Sequence, residues 1–203
     1  MKVRAYTMTV NVNHAPHVGD YEGRPLLTLA NCKPGIREKA AKGEWVAAIT
    51  PKKMGYRLAY LMRVDGDWTR ADYWGEFEGS RLDSIYRPGR AGRFDLLDNP
   101  FHGSEQYDTD TSCNRVLRSD EFYYFAEPYG HDDDAPTGLK LPPKYGAFRR
   151  SMRTYYGYHI EIPDDFLRWV KSQPGRLRRF SVHAGDGRRP CHCCRPRQRP
   201  RCS

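Results

Sequence analysis

The chain has 203 residues, of which 38% are hydrophobic and 29% charged, which is enough for one core and argues against a second domain. Its formal net charge is +9, but residues 1–175 hold 25 basic and 24 acidic side chains, so the excess lies in residues 176–203. Because residues 1–175 are nearly balanced in charge, the overall basicity of the chain does not indicate a nucleic-acid-binding face on the domain. We therefore expect one domain over residues 1–175 and a basic tail, rich in Arg, Pro and Cys and disordered, over residues 176–203.

The same composition bears on where the protein works. No apolar run approaches the roughly 20 residues that a membrane span needs, and the N-terminus alternates polar and apolar residues, unlike a signal peptide. Cys32 and Cys113 stand apart from four cysteines near the C-terminus, which is not the spacing of a secreted disulfide framework. The sequence therefore predicts a cytoplasmic protein with no membrane partner, and it leaves the oligomeric state open.

The first predicted element is a strand within Val3–Asn13, where apolar side chains recur at every second position. A loop over residues 14–25 and a short apolar piece at Leu26–Leu29 follow. Pro34 then opens a short helix that stops at Gly43. Two strands come next, over residues 45–50 and 56–64, and the connector between them has the length and chemistry of a hairpin turn.

The second half of the chain contains fewer regular patterns. Asp67 or Thr69 is expected to cap a short helix, and residues 75–111 read as an irregular loop, which at this length is usually functional or mobile. Strands are predicted over residues 115–119 and 122–126. A last helix follows Pro163, with Phe166, Leu167 and Val170 on one face.

The segment from Thr28 to Arg37, TLANCKPGIR, is the strongest candidate in the sequence for a functional site. A strand ends there and Pro34 opens a helix, so unpaired main-chain N–H groups would favour an anion or a thiolate at Cys32. Lys33 and Arg37, four residues apart, would lie close enough to hold a phosphate together. The alternative, which the sequence alone favours, is a structural cysteine that resists alkylation until the protein unfolds, beside two solvated cations.

Two more specific hypotheses concern a nucleophile and a stacking surface. Cys32 could be activated by His14 or His17 from the preceding loop, although no motif of a known cysteine hydrolase surrounds it. The rings of Tyr73, Trp74 and Tyr86 could stack on a base, or could instead cover the open end of a small sheet.

Motifs for cofactors and metals are missing from the sequence. The chain has no P-loop, no glycine-rich dinucleotide fingerprint and no zinc-protease or serine-hydrolase signature. The acidic run at residues 132–134 lacks the spacing of a calcium loop, and the cysteine cluster at residues 191–194 lacks the spacing of a zinc site. We therefore predict neither a cofactor nor a metal.

The order of these segments resembles the nucleotide modification associated domain 2 family. The likeness covers Lys2 to Gln173 and is carried by LLTLANCKPGIREKAAKGEWVAAI, YLMRV, the Tyr73-Trp74 pair, RVLRSDEFYYFAEP and IPDDFLRWV. It implies a phage or bacterial protein connected with modified bases in DNA, and it carries no catalytic residues across. A weaker likeness to PUA, ASCH and EVE domains implies a small barrel-like sheet that grips a modified base.

From residues and resemblance together we expect an α+β protein with a mixed, barrel-like sheet and a few short helices. The favoured function is binding of a modified base or nucleotide in an aromatic-lined pocket formed by Trp74, Tyr86 and Tyr73, with Lys33 and Arg37 at its rim. The alternative is an enzyme that acts on a nucleotide or its modifying group through Cys32 and a histidine. A third class, an interaction module without a ligand, also stays open.

Overall fold

The computed structural model describes residues 1–8, 16–99, 102–125, 138–148 and 159–173. The described α-helices, numbered in chain order, are α1 (Pro34–Lys39), α2 (Arg70–Phe77), α3 (Tyr107–Thr111) and α4 (Phe166–Ser172). The described strands are β1 (Lys2–Thr7), β2 (His17–Tyr21), β3 (Arg24–Leu29), β4 (Trp45–Ile49), β5 (Arg57–Arg63), β6 (Gly66–Thr69), β7 (Tyr86–Pro88), β8 (Phe94–Leu96), β9 (Arg115–Ser119), β10 (Phe122–Tyr124), β11 (Leu139–Lys140) and β12 (His159–Glu161). The expected α+β class is confirmed.

The strands form two larger sheets and one hairpin. The first sheet has the order β10-β5-β4-β1-β12, with β11 also paired to β5, and the second has the order β2-β3-β9-β6. In the described part of the chain neither sheet closes on itself, so the expected barrel-like sheet is not confirmed. The chain passes from β5 to β6 and from β9 to β10 within a few residues, and each passage moves it from one sheet to the other.

The first sheet is buried on both faces, and this explains the nearly continuous apolar sequence of its central strands. Along β4, Val46 and Ala48 enter the core shared with the second sheet and α1, whereas Ala47 and Ile49 enter a second core that α4 covers. Phe166 and Val170 supply the buried face of α4, as its sequence pattern predicts. Strand β4 runs parallel to β1 and antiparallel to β5.

Several described elements were not expected from the sequence, among them β6, β11 and β12. The loop over residues 14–25 contains β2, which pairs with β3 through a turn where Glu22 and Gly23 have φ of 51° and 73°. Positive φ at both central residues is the backbone of a two-residue hairpin, and the polar residues HVGDY hid the strand. The supposedly irregular residues 75–111 contain the β7–β8 hairpin and α3.

The remaining predicted elements are found with small shifts in their ends. Thr69 caps α2, since its hydroxyl accepts a hydrogen bond from the Asp72 N–H at 3.1 Å. Strands β9 and β10 and the β4–β5 hairpin lie where the sequence predicts them. Among the described residues no helix has the length and apolar character that crossing a membrane requires. The predicted tail over residues 176–203 lies outside the described residues.

Candidate active site

Three side chains that are far apart in the sequence meet at the end of β3. The Cys32 sulfur lies 3.7 Å from Nε2 of His102, and Nδ1 of His102 donates a hydrogen bond to Oδ2 of Asp110. Cys32 is half-buried, whereas His102 and Asp110 are buried. A thiol, an imidazole and a carboxylate in this order have the arrangement of a nucleophile, a base and the group that orients the base.

The three residues come from three separate elements. Cys32 lies in the loop between β3 and α1, His102 precedes α3, and Asp110 lies on α3. His102 is fixed locally by Asn99, whose side chain accepts a hydrogen bond from its N–H at 2.7 Å and donates one to its carbonyl at 3.1 Å. The sequence signal for His102 and Asp110 was indirect, because they fall in the long segment that length alone marked as functional or mobile.

The backbone at Cys32 has an unusual conformation that its neighbours maintain. Cys32 and Lys33 have φ of 55° and 46°, in the left-handed region that residues with a side chain rarely adopt. Such residues cost on the order of 1–3 kcal/mol each and concentrate at functional sites. The Cys32 N–H donates to Oδ1 of Asp110 at 2.5 Å and its carbonyl accepts from Arg37 Nε at 2.8 Å, so both main-chain groups are fixed.

Two buried arginines connect the loop of Cys32 to α3. Arg37 donates to the carbonyls of Cys32, Cys113, Arg115 and Asp110, at 2.7–2.8 Å. Arg70 donates to the Ala30 carbonyl at 2.8 Å, to Oδ1 of Asn31 at 3.1 Å and to the Asp110 carbonyl at 2.5 Å. Burial lowers the pKa of Arg37, and burial together with the nearby Arg37 charge lowers that of Arg70 to about 10. Both side chains remain cationic at neutral pH.

The protonation of His102 follows from its partners. Burial alone would lower its pKa, but the hydrogen bonds to Asp110 and Cys32 outweigh it and raise the pKa of His102 to about 9. Burial would raise the pKa of Asp110, but the hydrogen bond and positive charge of His102 and the Cys32 N–H lower it. At neutral pH the pair is therefore an imidazolium and a carboxylate, and a positive ring faces the sulfur.

A metal ion is the other chemistry that these groups offer. One ligand atom each from Cys32, His102 and Asp110 lie within 4.8 Å of one another. However, Oδ1 of Asp110 already accepts the Cys32 N–H, and Oδ2 accepts both His102 and the Tyr86 hydroxyl, at 2.8 Å for the latter. Because both carboxylate oxygens already accept hydrogen bonds, Asp110 is better suited to orient His102 than to coordinate an ion.

The other predicted site residues lie in different surroundings. Tyr73 and Tyr86 are each 2% exposed, and their hydroxyls bond to Asp83 and Asp110, so both rings belong to the core. Trp74, on α2, is half-buried. Arg37 is fully buried and is not at a rim, because its donors bond to main-chain carbonyls. Nucleotide binding by these residues stays a prediction.

The remaining residues that the sequence analysis selected are Lys33, His14 and His17. Lys33 is half-buried beside Cys32, and its ammonium lies 5.2 Å from the centre of the Tyr6 ring. His14 lies outside the described residues, as do the acidic run at 132–134 and the cysteine cluster at 191–194. His17 is buried in β2, and its carbonyl accepts a hydrogen bond from Arg81 at 3.3 Å. The histidine that faces the Cys32 sulfur is His102, which the sequence analysis did not select.

Comparison with known proteins places the domain in a family. No curated protein and no solved structure matches the chain. A family model described as nucleotide modification associated domain 2 matches residues 1–175, which confirms the resemblance carried by the segment around Cys32. The chain therefore belongs to the nucleotide modification associated domain 2 family.

Proposed function

We propose that this protein is a thiol-dependent enzyme that acts on a nucleotide or on its modifying group. The observation that supports the proposal is the contact of 3.7 Å between the Cys32 sulfur and Nε2 of a histidine whose other nitrogen is held by a buried carboxylate. Membership of the family supplies the association with nucleotide modification. A half-buried sulfur with a buried base behind it suits a nucleophile that an incoming substrate can reach.

In this mechanism Cys32 is the nucleophile, His102 the acid and base, and Asp110 the group that orients His102. The thiolate attacks an electrophilic carbon, such as the acyl carbon of a modifying group, and a C–S bond forms. The imidazolium gives its proton to the leaving group, whose bond to that carbon breaks. Neutral His102 then takes a proton from water or from an acceptor, which attacks the thioester and releases the Cys32 thiolate, and His102 again carries its proton.

In this proposal the predicted base-binding pocket holds the nucleotide substrate of the enzyme. Trp74 is the one ring of the predicted set that is not in the core, so it is the member that could stack on a base. A modified nucleotide is accordingly the proposed partner. The proposed stacking surface is Trp74, and not Tyr73 or Tyr86.

The first test is the reactivity of Cys32. We expect iodoacetamide to alkylate Cys32 in the folded protein near neutral pH, and His102→Asn to slow this reaction about tenfold or more, the size of effect that a positioned acid or base typically contributes. Mass spectrometry of the peptide that contains residue 32 measures the rate. Cys113→Ser, at a buried cysteine, is the matched control and should leave the rate unchanged.

The second test is a covalent intermediate. Incubation with acyl-substituted nucleotides, followed by acid quenching, should add the acyl mass to the Cys32 peptide of the wild type and not to Cys32→Ser. If Cys32 reacts with iodoacetamide only after unfolding, it is a structural cysteine and the proposal is wrong. Equal rates in the wild type and in His102→Asn would likewise remove His102 from the mechanism.

A further inference from the structure

The buried charges of the described residues form two groups with different balances. Arg81 and Asp83 lie 3.8 Å apart and neutralise each other, and the Tyr73 hydroxyl also donates to Asp83 at 2.5 Å. The second group surrounds Cys32 and consists of Arg37, Arg70, His102 and Asp110. In this group two guanidinium groups and an imidazolium outnumber the Asp110 carboxylate and the Cys32 thiolate, so positive charge is still in excess.

The hydrogen bonds of the two arginines do not remove this excess. Within the described part of the chain Arg37 and Arg70 form no ion pair with a carboxylate, and their donors bond to carbonyl oxygens, which carry no net charge. Nε of Arg70, a side chain that is 2% exposed, has no hydrogen-bond partner among those residues. Ions buried without a counterion are unfavourable, so a negative charge delivered to this site would lower the free energy.

The half-buried position of Cys32 brings this charge close to solvent. Cys32 is half-buried, the arginines lie beneath its loop, and Lys33 is the next residue. Buried charges act through protein of low effective dielectric and are screened less by salt than surface charges. From this arrangement we propose that the Cys32 site binds substrates carrying an oxyanion, a phosphate or a carboxylate group, next to the bond that Cys32 attacks. The proposal rests on the proposed function, since it names the substrate class of that site.

Paired alkylating agents test the charge without knowledge of the substrate. Iodoacetate is an anion and iodoacetamide is its neutral counterpart, so the ratio of their rates at Cys32 reports the local potential. We expect this ratio to exceed that of 2-mercaptoethanol roughly threefold or more, and to fall about twofold in Lys33→Gln, as expected for one partly screened charge. Lys39→Gln, at an exposed lysine at the other end of α1, is the matched control and should leave the ratio unchanged.

The anion that the site prefers is identified by how strongly each anion protects Cys32 from alkylation. Inorganic phosphate and acetate are added separately, at an ionic strength matched with chloride, and the slowing of iodoacetamide alkylation at Cys32 is compared. Protection by phosphate assigns a phosphate-bearing substrate, and protection by acetate a carboxylate-bearing one. A rate ratio equal to that of 2-mercaptoethanol, or protection by neither anion, would overturn the oxyanion proposal while leaving the enzyme proposal in place. Failure of Cys32 to react with iodoacetamide at all overturns the enzyme proposal first.

Discussion

Asp110 is the residue that holds the candidate site together. Its two carboxylate oxygens accept from the Cys32 N–H, from His102 and from the Tyr86 hydroxyl, and its carbonyl accepts from Arg37 and Arg70. The hydrogen bond from Tyr86 stabilises the ionised carboxylate and so limits how strongly Asp110 attracts the proton of His102.

Removal of the Tyr86 hydroxyl should therefore raise the pKa of His102 further. We expect Tyr86→Phe to raise it above about 9, by on the order of 0.5 unit, because a single hydrogen bond is worth about 1 kcal/mol and only part of it is transmitted. Titration of the His102 ring followed by NMR measures the change. Tyr107→Phe, whose hydroxyl donates to the Phe94 carbonyl, is the control. An unchanged or lower pKa in Tyr86→Phe would contradict this role of Tyr86.

At the scale of elements, α2 connects the second sheet to the site. Thr69 caps its N-terminus and Arg70 is its first residue. Its Tyr73 and Phe77 pack with Leu26 of β3. The hydroxyl of Thr69 also donates to Asp72 at 2.6 Å, so cap and third residue bond to each other.

Loss of this cap should destabilise the whole domain. Thr69→Ala is expected to lower the free energy of unfolding by about 1 kcal/mol, the usual cost of removing a capping hydroxyl, and Thr69→Ser should restore most of it. Urea unfolding followed by circular dichroism measures both variants. A loss of stability in Thr69→Ser as large as in Thr69→Ala would show that the Thr69 methyl group, and not the cap, is responsible.

At the scale of the whole molecule, the raised pKa of His102 couples stability to pH. Its folded-state pKa of about 9 lies above the ordinary value of 6.5. The stabilisation is therefore complete below pH 6.5, falls as pH rises between these values, and is lost above about pH 9. It amounts to at most roughly 3 kcal/mol. Urea unfolding at pH 6, 7.5 and 9.5 should show this loss in the wild type and a weaker pH dependence in His102→Asn; identical dependences would contradict it.

The charge distribution leads to a second prediction at this scale. Residues 1–175 are almost balanced, whereas residues 176–203 hold nine Arg and one acidic residue. A chain ending at residue 175 should therefore melt within a degree or two of the full chain. We also expect the full chain to bind unmodified DNA through the nine arginines with a steep salt dependence, and the shortened chain to lose this binding. Thermal melting and DNA titration at two salt concentrations measure both effects. A melting temperature several degrees lower would show that the tail packs on the domain.

The sequence by itself determined the α+β class, the family, the central strands β1, β4, β5, β9 and β10, and the capped helix α2. These features are local: alternation in β1, continuous apolar residues in β4 and β5, and a capping threonine before Arg70 depend on neighbours within a few positions. The strands that escaped detection, β2, β6, β7, β8, β11 and β12, have at most five residues each, which is too few to show an apolar pattern.

Only the tertiary structure decided which histidine faces Cys32 and what the aromatic and basic residues do. His102 and Asp110 lie 70 and 78 positions beyond Cys32, and contacts at such a separation depend on how the sheets and loops pack, which no local pattern specifies. The sequence analysis placed Arg37 at the rim of a pocket, and it left Tyr86 open between a stacking surface and a cover for the end of a sheet. The fold buries them, since carbonyl groups and the Asp110 carboxylate satisfy every polar atom that burial removes from water.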